Sequence, residues 1–483
     1  MNKKMILNLI GRILLTEGAL MLLPLGVALL YGETYLLLPF LISIAIAGIL
    51  GASFSLLTKN HGKDFFAGEG FITVAFAWLL LSLLGALPFY LSGEIKNYTD
   101  AFFETVSGFT TTGATILTDV ESMSHGLLFW RSFTHWVGGM GVLVFVIAII
   151  PSASAGSMHM FRAEMPGPII GKLVPRARDT AKILYLIYLA LTLLEVIFLL
   201  AGGMNLFDSV VHSLGTAGTG GFGTKANSIG GYSPYCQWVI CIFMLLFGVN
   251  FNLYYLILIK KIKAVFKSTE LRFYAGIVAV ATAVITLNIL SLCKGFGEAL
   301  RLSAFQVASI ITTTGYSTAD FNLWPNLSKA ILLLLMFIGG CAGSTAGGLK
   351  VSRLVLLLKM VKREFMRALH PRSMSKVRFE GRTMEEAVMN NLSGYFAVYI
   401  LCFASIILLL SFEPFGLETN FSAAAACFNN VGPGLAAVGP MESYAAYSPL
   451  SKWVLSLAML LGRLEIFPLI IALSPTTWLK KYR

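Results

Sequence analysis

Long hydrophobic stretches alternate with short polar segments along almost the whole chain. An apolar run of about 20 residues is long enough to cross the roughly 30 Å hydrocarbon core of a bilayer as a helix. The pattern predicts about ten such spans, near residues 7–31, 36–57, 68–92, 127–151, 180–202, 236–260, 271–293, 327–349, 390–412 and 450–474. An even number of spans places both chain ends on one side of the membrane.

A half-length apolar segment followed by a small, polar loop recurs in four of the stretches between spans. The four segments align without gaps: FFETVSGFTTTGAT from Phe102, VVHSLGTAGTGGFG from Val210, AFQVASIITTTGYS from Ala304 and FSAAAACFNNVGPG from Phe421. One column holds glycine in every copy: Gly113, Gly221, Gly315 and Gly432. A half-helix cannot cross the bilayer and return as a helix, so irregular backbone follows it, which is tolerated at membrane depth only inside protein or along a water-filled path.

The repeat predicts an all-α integral membrane fold, with four membrane-pore-membrane units around a central pore and two extra N-terminal transmembrane helices. The first apolar run has no small-residue cleavage site, so it is expected to be a retained span. The predicted units are an N-terminal extension at 1–60 and pore repeats at 61–155, 175–265, 268–370 and 383–483, with a gating loop at 339–349 in the third.

Composition agrees with a membrane protein, since 57% of the 483 residues are hydrophobic and 12% are charged. The net charge of +12 is concentrated in loops, with ten Lys or Arg residues in 350–382 and five in 260–272. The stretches 93–125, 203–232, 294–322 and 413–445 are acidic instead. This asymmetry indicates topology, with basic loops and both termini in the cytoplasm, rather than nucleic-acid binding. A docking surface for a cytoplasmic partner or anionic membrane lipid is the alternative interpretation of the basic loops.

Sites for other chemistry are not apparent in the sequence. The six cysteines are scattered and form no CxxC pair, which argues against a disulfide framework or a zinc or iron–sulfur site. His125, His135 and His159 form no ligand cluster and are expected to be structural. With no metal or nucleophile constellation, the sequence does not predict an enzyme, and no organic cofactor is expected.

The four loops suit a dehydrated monovalent cation, which needs several oxygen ligands. Backbone carbonyls supply them without a fixed charge, glycine permits unusual backbone angles, and threonine adds hydroxyls. Close helix packing is the alternative role for these small residues. The predicted ligands of a potassium ion are Thr111, Thr112, Gly113, Thr219, Gly220, Gly221, Thr313, Thr314, Gly315, Asn430, Val431 and Gly432.

Together with RSFTHWVGGMG from Arg131, GGCAGSTAGGLK from Gly339 and LLGRLEIFP from Leu460, these repeats resemble the Trk, Ktr and HKT superfamily of potassium transporters, in its TrkH-type branch. The third loop, TTTGYS, is closest to the TVGYG filter of potassium channels, and the fourth, NNVGPG, departs most. HKT-type sodium carriers have serine at the first filter glycine, so Gly113 implies potassium. The resemblance also implies a homodimer, a cytosolic ring of nucleotide-binding regulatory subunits, and a bacterial cytoplasmic (inner) membrane location.

Five glycines between Gly339 and Gly348 interrupt the eighth span and predict a flexible break that obstructs the path below the filter. The resemblance implies the same, an intramembrane gate facing an arginine at Arg463. A glycine-rich packing surface is the alternative. The predicted gate residues are Gly339, Gly340, Gly343, Ser344, Thr345, Gly347, Gly348, Lys350 and Arg463.

Charged residues within the spans leave several questions open. Arg463 is expected either to raise the barrier to cations beneath the filter or to form a structural ion pair, for which Glu465 lies on the wrong helical face. Glu104 either attracts cations in the vestibule or stabilises the start of a pore helix. A secondary active symporter coupled to protons or sodium is the alternative function, and it would use buried acids such as Glu17 and Glu195.

Overall fold

The computed structural model describes residues 2–59, 67–141, 177–372 and 376–478. The prediction of an all-α membrane fold is confirmed, since helices form almost all the regular structure in these ranges. Six of the described helices are long and apolar enough to cross a bilayer, or eight if two sharply bent pairs each count as one span. Residues 142–151 of the predicted fourth span, the basic residues 162–176 and His159 lie outside the described ranges.

The N-terminal extension is a pair of helices folded against each other. Its elements are α1 Lys3–Leu20, α2 Leu22–Leu30, a 3-10 turn at Thr34–Leu36, and α3 Leu37–Leu57. Gly11 and Gly51 face each other where α1 crosses α3, and a Cβ on either would approach the other's carbonyl oxygen closely. Because these two glycines have no side chains, the helices can pack as tightly as is typical of membrane helices.

Each of the four repeats begins with a membrane helix and continues with a shorter pore helix. The first helices are α4 Ala67–Gly85 with α5 Leu87–Leu91, α8 Ala177–Ala201, α13 Thr269–Ile289 and α17 Glu386–Leu410. The pore helices are α6 Tyr98–Phe109, α9 Leu206–Gly218, α14 Phe296–Ile311 and α18 Leu417–Phe428. Residues 101–109 of α6 are all buried, as are 422–428 of α18, so these helices lie at the centre of the molecule.

The second helices of the repeats are interrupted in the second, third and fourth copies. They are α7 His125–Gly139, α10 Pro234–Phe247 with α11 Phe251–Leu258, α15 Asn326–Phe337 followed after a loop by α16 Val351–Leu369, and α19 Pro449–Arg463 with α20 Phe467–Leu473. The bends are 91° between α10 and α11 and 119° between α19 and α20. The predicted spans at 236–260 and 450–474 are therefore each broken by a sharp bend. The few polar residues at these bends, Asn250 in the first and Arg463 and Glu465 in the second, do not end the apolar runs, so hydropathy does not indicate the bends.

The remaining elements are short. They are α12 Ile262–Lys267, 3-10 turns at Leu290–Leu292, Phe321–Leu323, Ala436–Val438 and Tyr444–Ala446, strands β1 Arg378–Phe379 and β2 Arg382–Thr383, and α21 Pro475–Trp478. The two strands pair as an antiparallel hairpin, with Phe379 opposite Arg382. Phe379 and Val377 are buried against the apolar face of α16 and α17, so the hairpin is fixed to the helices that surround it.

Candidate functional site

The four loops that follow the pore helices have the same backbone conformation. In each loop, the residue two positions before the aligned glycine has a left-handed φ: 54° at Thr111, 56° at Thr219, 57° at Thr313 and 56° at Asn430. Two residues later the aligned glycines are also left-handed, at 80° for Gly113, 79° for Gly221, 83° for Gly315 and 97° for Gly432. The internal repeat of the sequence is thus reproduced in the backbone of every copy.

A left-handed conformation at a threonine or asparagine costs about 1–3 kcal/mol and persists only where surrounding structure enforces it. Here the end of each pore helix enforces it with two backbone hydrogen bonds. In the first loop, the N–H groups of Thr111 and Thr112 donate to the carbonyls of Gly108 and Ser107 at 3.1 and 2.9 Å. The other three loops repeat both bonds: Thr219 to Thr216 and Gly220 to Gly215, Thr313 to Ile310 and Thr314 to Ser309, Asn430 to Cys427 and Val431 to Ala426.

The loops close into a ring through their glycines. A Cβ atom placed on any of the four would run into a backbone carbonyl oxygen of the next loop. The pairs follow one cyclic order: Gly113 with Gly220, Gly221 with Thr314, Gly315 with Val431, and Gly432 with Thr112. The carbonyl involved always belongs to the residue before the aligned glycine, so the four loops surround a common axis. The twelve residues predicted as ligands are all brought together here.

Side chains brace the ring at its first and fourth loops. Asn430 donates from Nδ2 to Thr112 Oγ1 at 3.0 Å and to the carbonyl of Met459 at 2.9 Å. The Thr110 and Thr112 hydroxyls are 2.8 Å apart. Thr111 Oγ1 and Asn430 Oδ1 are buried and have no hydrogen-bond partner among the described residues. Of these two oxygens, Asn430 Oδ1 faces Gly462 of α19.

Above the ring lies a cavity of about 210 Å³ whose lining includes all four aligned glycines. Other lining residues come from the acidic stretches, among them Thr115, Lys225 and Glu442. The cavity is polar and open to one side, so water and ions can reach the ring through it.

A buried ion pair lies behind the first two loops. Arg131 Nε is 2.5 Å from Glu104 Oε1, and both side chains are almost fully buried. Glu104 also accepts hydrogen bonds from Thr115 and from the N–H of Ile116, and Arg131 donates to the carbonyl of Gly223 at 3.2 Å. Because α6 begins at Tyr98, Glu104 lies in the middle of the pore helix, and the expectation that it stabilises the helix start is wrong; its contacts instead make it the structural partner of Arg131. Arg131 stands out in the sequence as part of a motif. Its pairing with Glu104 does not, because only the fold brings the two side chains together.

Tyr316 joins the second and third loops. Its hydroxyl is within hydrogen-bonding distance of the carbonyls of His212 and Phe222, at 3.1 and 3.2 Å, and its ring is fully buried. Tyr316 follows the third aligned glycine directly, so its side chain fixes the spacing between neighbouring loops. The motif TTTGYS is visible in the sequence, but this contact of its tyrosine is not.

Residues 338–350 form a loop within the membrane region between α15 and α16, and we refer to them as the intramembrane loop. Its two limbs are joined by backbone hydrogen bonds from Gly339 to Leu349 at 2.7 Å and from Val351 to Gly340 at 3.1 Å. The predicted gate residues from Gly339 to Lys350 lie in it. Its tip reaches the ring, since Gly347 donates its N–H to Thr313 Oγ1 at 2.6 Å.

Arg463 connects this loop to the first repeat. Its guanidinium donates to the carbonyl of Thr345 in the intramembrane loop at 3.0 Å, and to the carbonyls of Gly138 and Gly139 at the end of α7. These three contacts are with backbone oxygens. Glu465 pairs with Arg353 of α16.

A small cavity of about 40 Å³ lies between the intramembrane loop and Arg463. It is lined by Gly343, Ser344, Gly347, Gly348 and Lys350 of the loop region, together with residues of α7 and α19. Lys350 Nζ donates to the carbonyl of Ala346, which places a second basic group beside the loop. The cavity on this side of the ring is therefore small, and the basic Lys350 and Arg463 line it together with the acid Glu465.

The histidines and cysteines form no metal centre in the described part of the chain, where no group of three or more His, Cys, Asp or Glu side chains is arranged to hold an ion. His135 is fully buried with Nδ1 2.7 Å from the carbonyl of Gly108, so it packs against the first loop. All six cysteines are free.

Comparison with known proteins identifies close relatives. A family model described as TrkH, cation transport protein, matches residues 38–480. The chain is 37% identical to the Trk system potassium uptake protein TrkH of Escherichia coli K12, over 99% of this chain and 100% of that protein. It is 35% identical to TrkG of the same strain, over 95% of each chain. The crystal structure of the potassium transporter TrkH from Vibrio parahaemolyticus superimposes with a TM-score of 0.88 at 34% identity, covering 99% of this chain and 100% of that one.

Proposed function

This chain belongs to the TrkH family of cation transport proteins, and from that premise we propose that it takes up potassium across the cytoplasmic membrane through the ring of four loops. The observation that carries the proposal is the closed order in which each aligned glycine lies against the carbonyl of the next loop. Relatives that match nearly its full length are potassium uptake proteins.

The ring supplies the chemistry that potassium needs. Carbonyl dipoles replace the water molecules of the hydrated ion, and because they carry no net charge the ion can leave again. The buried hydroxyl of Thr111, which has no hydrogen-bond partner among the described residues, is a further ligand in this proposal. In this proposal the filter consists of three residues from each loop, ending at the aligned glycine: 111–113, 219–221, 313–315 and 430–432.

The intramembrane loop is proposed to be the gate. Gly347 contacts the filter residue Thr313, and Arg463 places a positive charge directly under the ring. A cation leaving the filter would meet both. Deleting Gly343 to Ala346 removes two of the loop's attachment points, the carbonyls of Gly343 and Thr345. Raised leak conductance in the deletion variant supports the gate, and unchanged flux in a folded variant contradicts it.

The distribution of charged residues supports an orientation of the pore in the membrane and a surface for its partners. We infer that both termini and the basic loops are cytoplasmic and that the 210 Å³ cavity opens outside, since the stretches around it are acidic. We also infer a homodimer that works with other components of a Trk system, including a cytosolic ring of nucleotide-binding subunits that docks on the basic loops. Anionic lipid is the competing occupant of those loops.

A coupled symporter is the second candidate, and one observation favours it. Glu17 is buried in α1, and both its carboxylate oxygens lack a hydrogen-bond partner among the described residues. Such a group is suited to carry a proton. Glu17 packs near Gly85 and Thr105, behind the first pore helix rather than on the axis of the ring. This position off the ion path makes the uncoupled pore the better supported function.

Rubidium-86 uptake into potassium-loaded liposomes that contain the purified protein tests the proposal. Potassium is expected to compete with the tracer, and sodium and lithium are not. A pH-sensitive dye inside the liposomes distinguishes the two candidates, because proton entry that is stoichiometric with rubidium uptake would support the symporter. Uptake that sodium blocks as well as potassium would contradict a potassium filter.

A further inference from the structure

A buried carboxylate holds the base of the intramembrane loop. Glu270 lies in the first turn of α13 and is only 6% exposed. Its Oε1 atom accepts two backbone hydrogen bonds, from Ala342 at 2.7 Å and from Ser352 at 3.0 Å. One oxygen atom therefore joins the start of the loop's tip to the first turn of α16, and fixes both to α13.

These bonds attach the loop as a unit. The backbone hydrogen bonds between Gly339 and Leu349 and between Gly340 and Val351 already join its two limbs, so the base moves as one body. Glu270 connects that body to a continuous membrane helix of 21 residues. The bond from Ser352 is also favoured by the partial positive charge at the start of α16.

We propose that Glu270 is a positioning residue that keeps the intramembrane loop beneath the filter, an inference that rests on the proposed gating function of that loop. Withdrawal of the tip from Thr313 requires the loop to rotate or slide relative to its base. With the base fixed to α13, such movement strains or breaks the bonds to Ala342 and Ser352. Glu270 thus sets the fraction of protein molecules whose pore is open at rest.

The hairpin extends this attachment to the protein surface. Glu380, in the two-residue turn between β1 and β2, accepts hydrogen bonds from Ser268 Oγ and from the N–H of Glu270, both at 3.0 Å. Glu380 and Gly381 have φ of 48° and 74°, which suits the tight turn of a two-residue hairpin. The flanking Arg378 and Arg382 are exposed. A force applied to the hairpin therefore reaches Glu270 through direct bonds.

The test compares substitutions at Glu270 with a matched control. Glu270→Ala removes both hydrogen bonds, whereas Glu270→Gln keeps an oxygen that can accept both. Glu298 is the control, because it also lies in the first turn of a membrane-region helix, α14, but accepts the N–H of Lys294 in its own segment at 2.8 Å. Basal rubidium-86 flux through full-length protein in liposomes is expected to rise about tenfold in Glu270→Ala. Glu270→Gln is expected to rise less, and Glu298→Ala is expected to match the unmodified protein.

Two further measurements distinguish a positioning role of Glu270 from a general loss of structure. Competition by potassium over sodium is expected to stay intact in Glu270→Ala, because the filter is not altered, and amide hydrogen exchange of peptides covering 340–352 is expected to accelerate. Equal flux and equal exchange in Glu270→Ala would overturn the proposal, as would raised flux with lost selectivity. If Glu270→Ala does not fold, the same comparison in Glu270→Leu decides, because leucine fills the space of the carboxylate but accepts no hydrogen bond. Faster exchange without flux in any variant, including the 343–346 deletion, would support the anchor and contradict the proposed transport function.

Discussion

Gly347 of the intramembrane loop donates its backbone N–H to the hydroxyl of Thr313 at 2.6 Å, although the two residues belong to different elements. Thr313 is one of the four left-handed residues in the ring. The aligned Thr219 has the same backbone conformation, but its hydroxyl donates to the carbonyl of Gly218 in its own loop. The proposed gate is thus bonded to one side of the proposed filter, and the pseudo-symmetry of the ring supplies a natural comparison.

Thr313→Val is expected to raise basal flux about fivefold, since it removes one hydrogen bond of about 1 kcal/mol that holds the loop in place. Basal rubidium-86 uptake in liposomes measures the change. Thr219→Val serves as the comparison because it removes a filter hydroxyl that makes no bond to the loop. Any loss of selectivity is expected in both variants, whereas the rise in basal flux is expected only at Thr313. Equal basal flux in the two variants would show that the bond does not hold the gate.

Arg463→Gln is expected to raise flux by tenfold or more. The substitution removes the positive charge under the ring together with the charge-assisted hydrogen bonds to Thr345, Gly138 and Gly139. Arg463→Lys keeps the charge but loses the planar arrangement of donors that reaches the loop and α7 together. Flux in Arg463→Lys is therefore expected to lie between that of the unmodified protein and that of Arg463→Gln. Single-channel or liposome flux measurements that rank Lys with Gln would assign the whole effect to geometry rather than charge.

The buried pair of Glu104 and Arg131 is expected to matter for stability. Glu104→Gln leaves the Arg131 guanidinium buried without its counter-charge, which costs roughly 3–5 kcal/mol. The melting temperature of the detergent-solubilised protein is expected to fall in this variant. Adding Arg131→Met removes the uncompensated charge and is expected to restore part of the loss. A double variant less stable than Glu104→Gln would contradict a pairwise interaction between these residues.

Much of the architecture could be predicted from the sequence, because it depends on patterns that repeat. Hydropathy indicates the membrane helices, and the four aligned segments indicate the pore helices and the glycines that follow them. The left-handed φ of Gly113 and its counterparts follows from the residue type. The left-handed φ of Thr111 does not, since threonine disfavours this conformation unless surrounding structure imposes it.

Features that depend on contacts between distant segments could not be predicted. The bend before α20 places Ile466, a β-branched residue, at a φ of 70°, against its local preference. Glu270 resembles an ordinary acid at the start of a helix, and only the fold brings Ala342 and Ser352 to it. For Arg463 the family resemblance predicts only that it faces the loop, and its contacts with the backbone carbonyls of Thr345, Gly138 and Gly139 are seen only in the fold.

The most direct test of the central claim is the selectivity of a Gly113→Ser variant beside a Gly93→Ser control. Both glycines are left-handed, with φ of 80° and 79°, but a Cβ on Gly113 would overlap the carbonyl of Gly220 whereas Gly93 has nothing within 4 Å. Competition of rubidium-86 uptake by potassium and sodium is the measurement. Discrimination is expected to fall about tenfold in Gly113→Ser, for a distortion of roughly 1–3 kcal/mol, and to persist in Gly93→Ser. Unchanged discrimination in Gly113→Ser would contradict the four-loop filter.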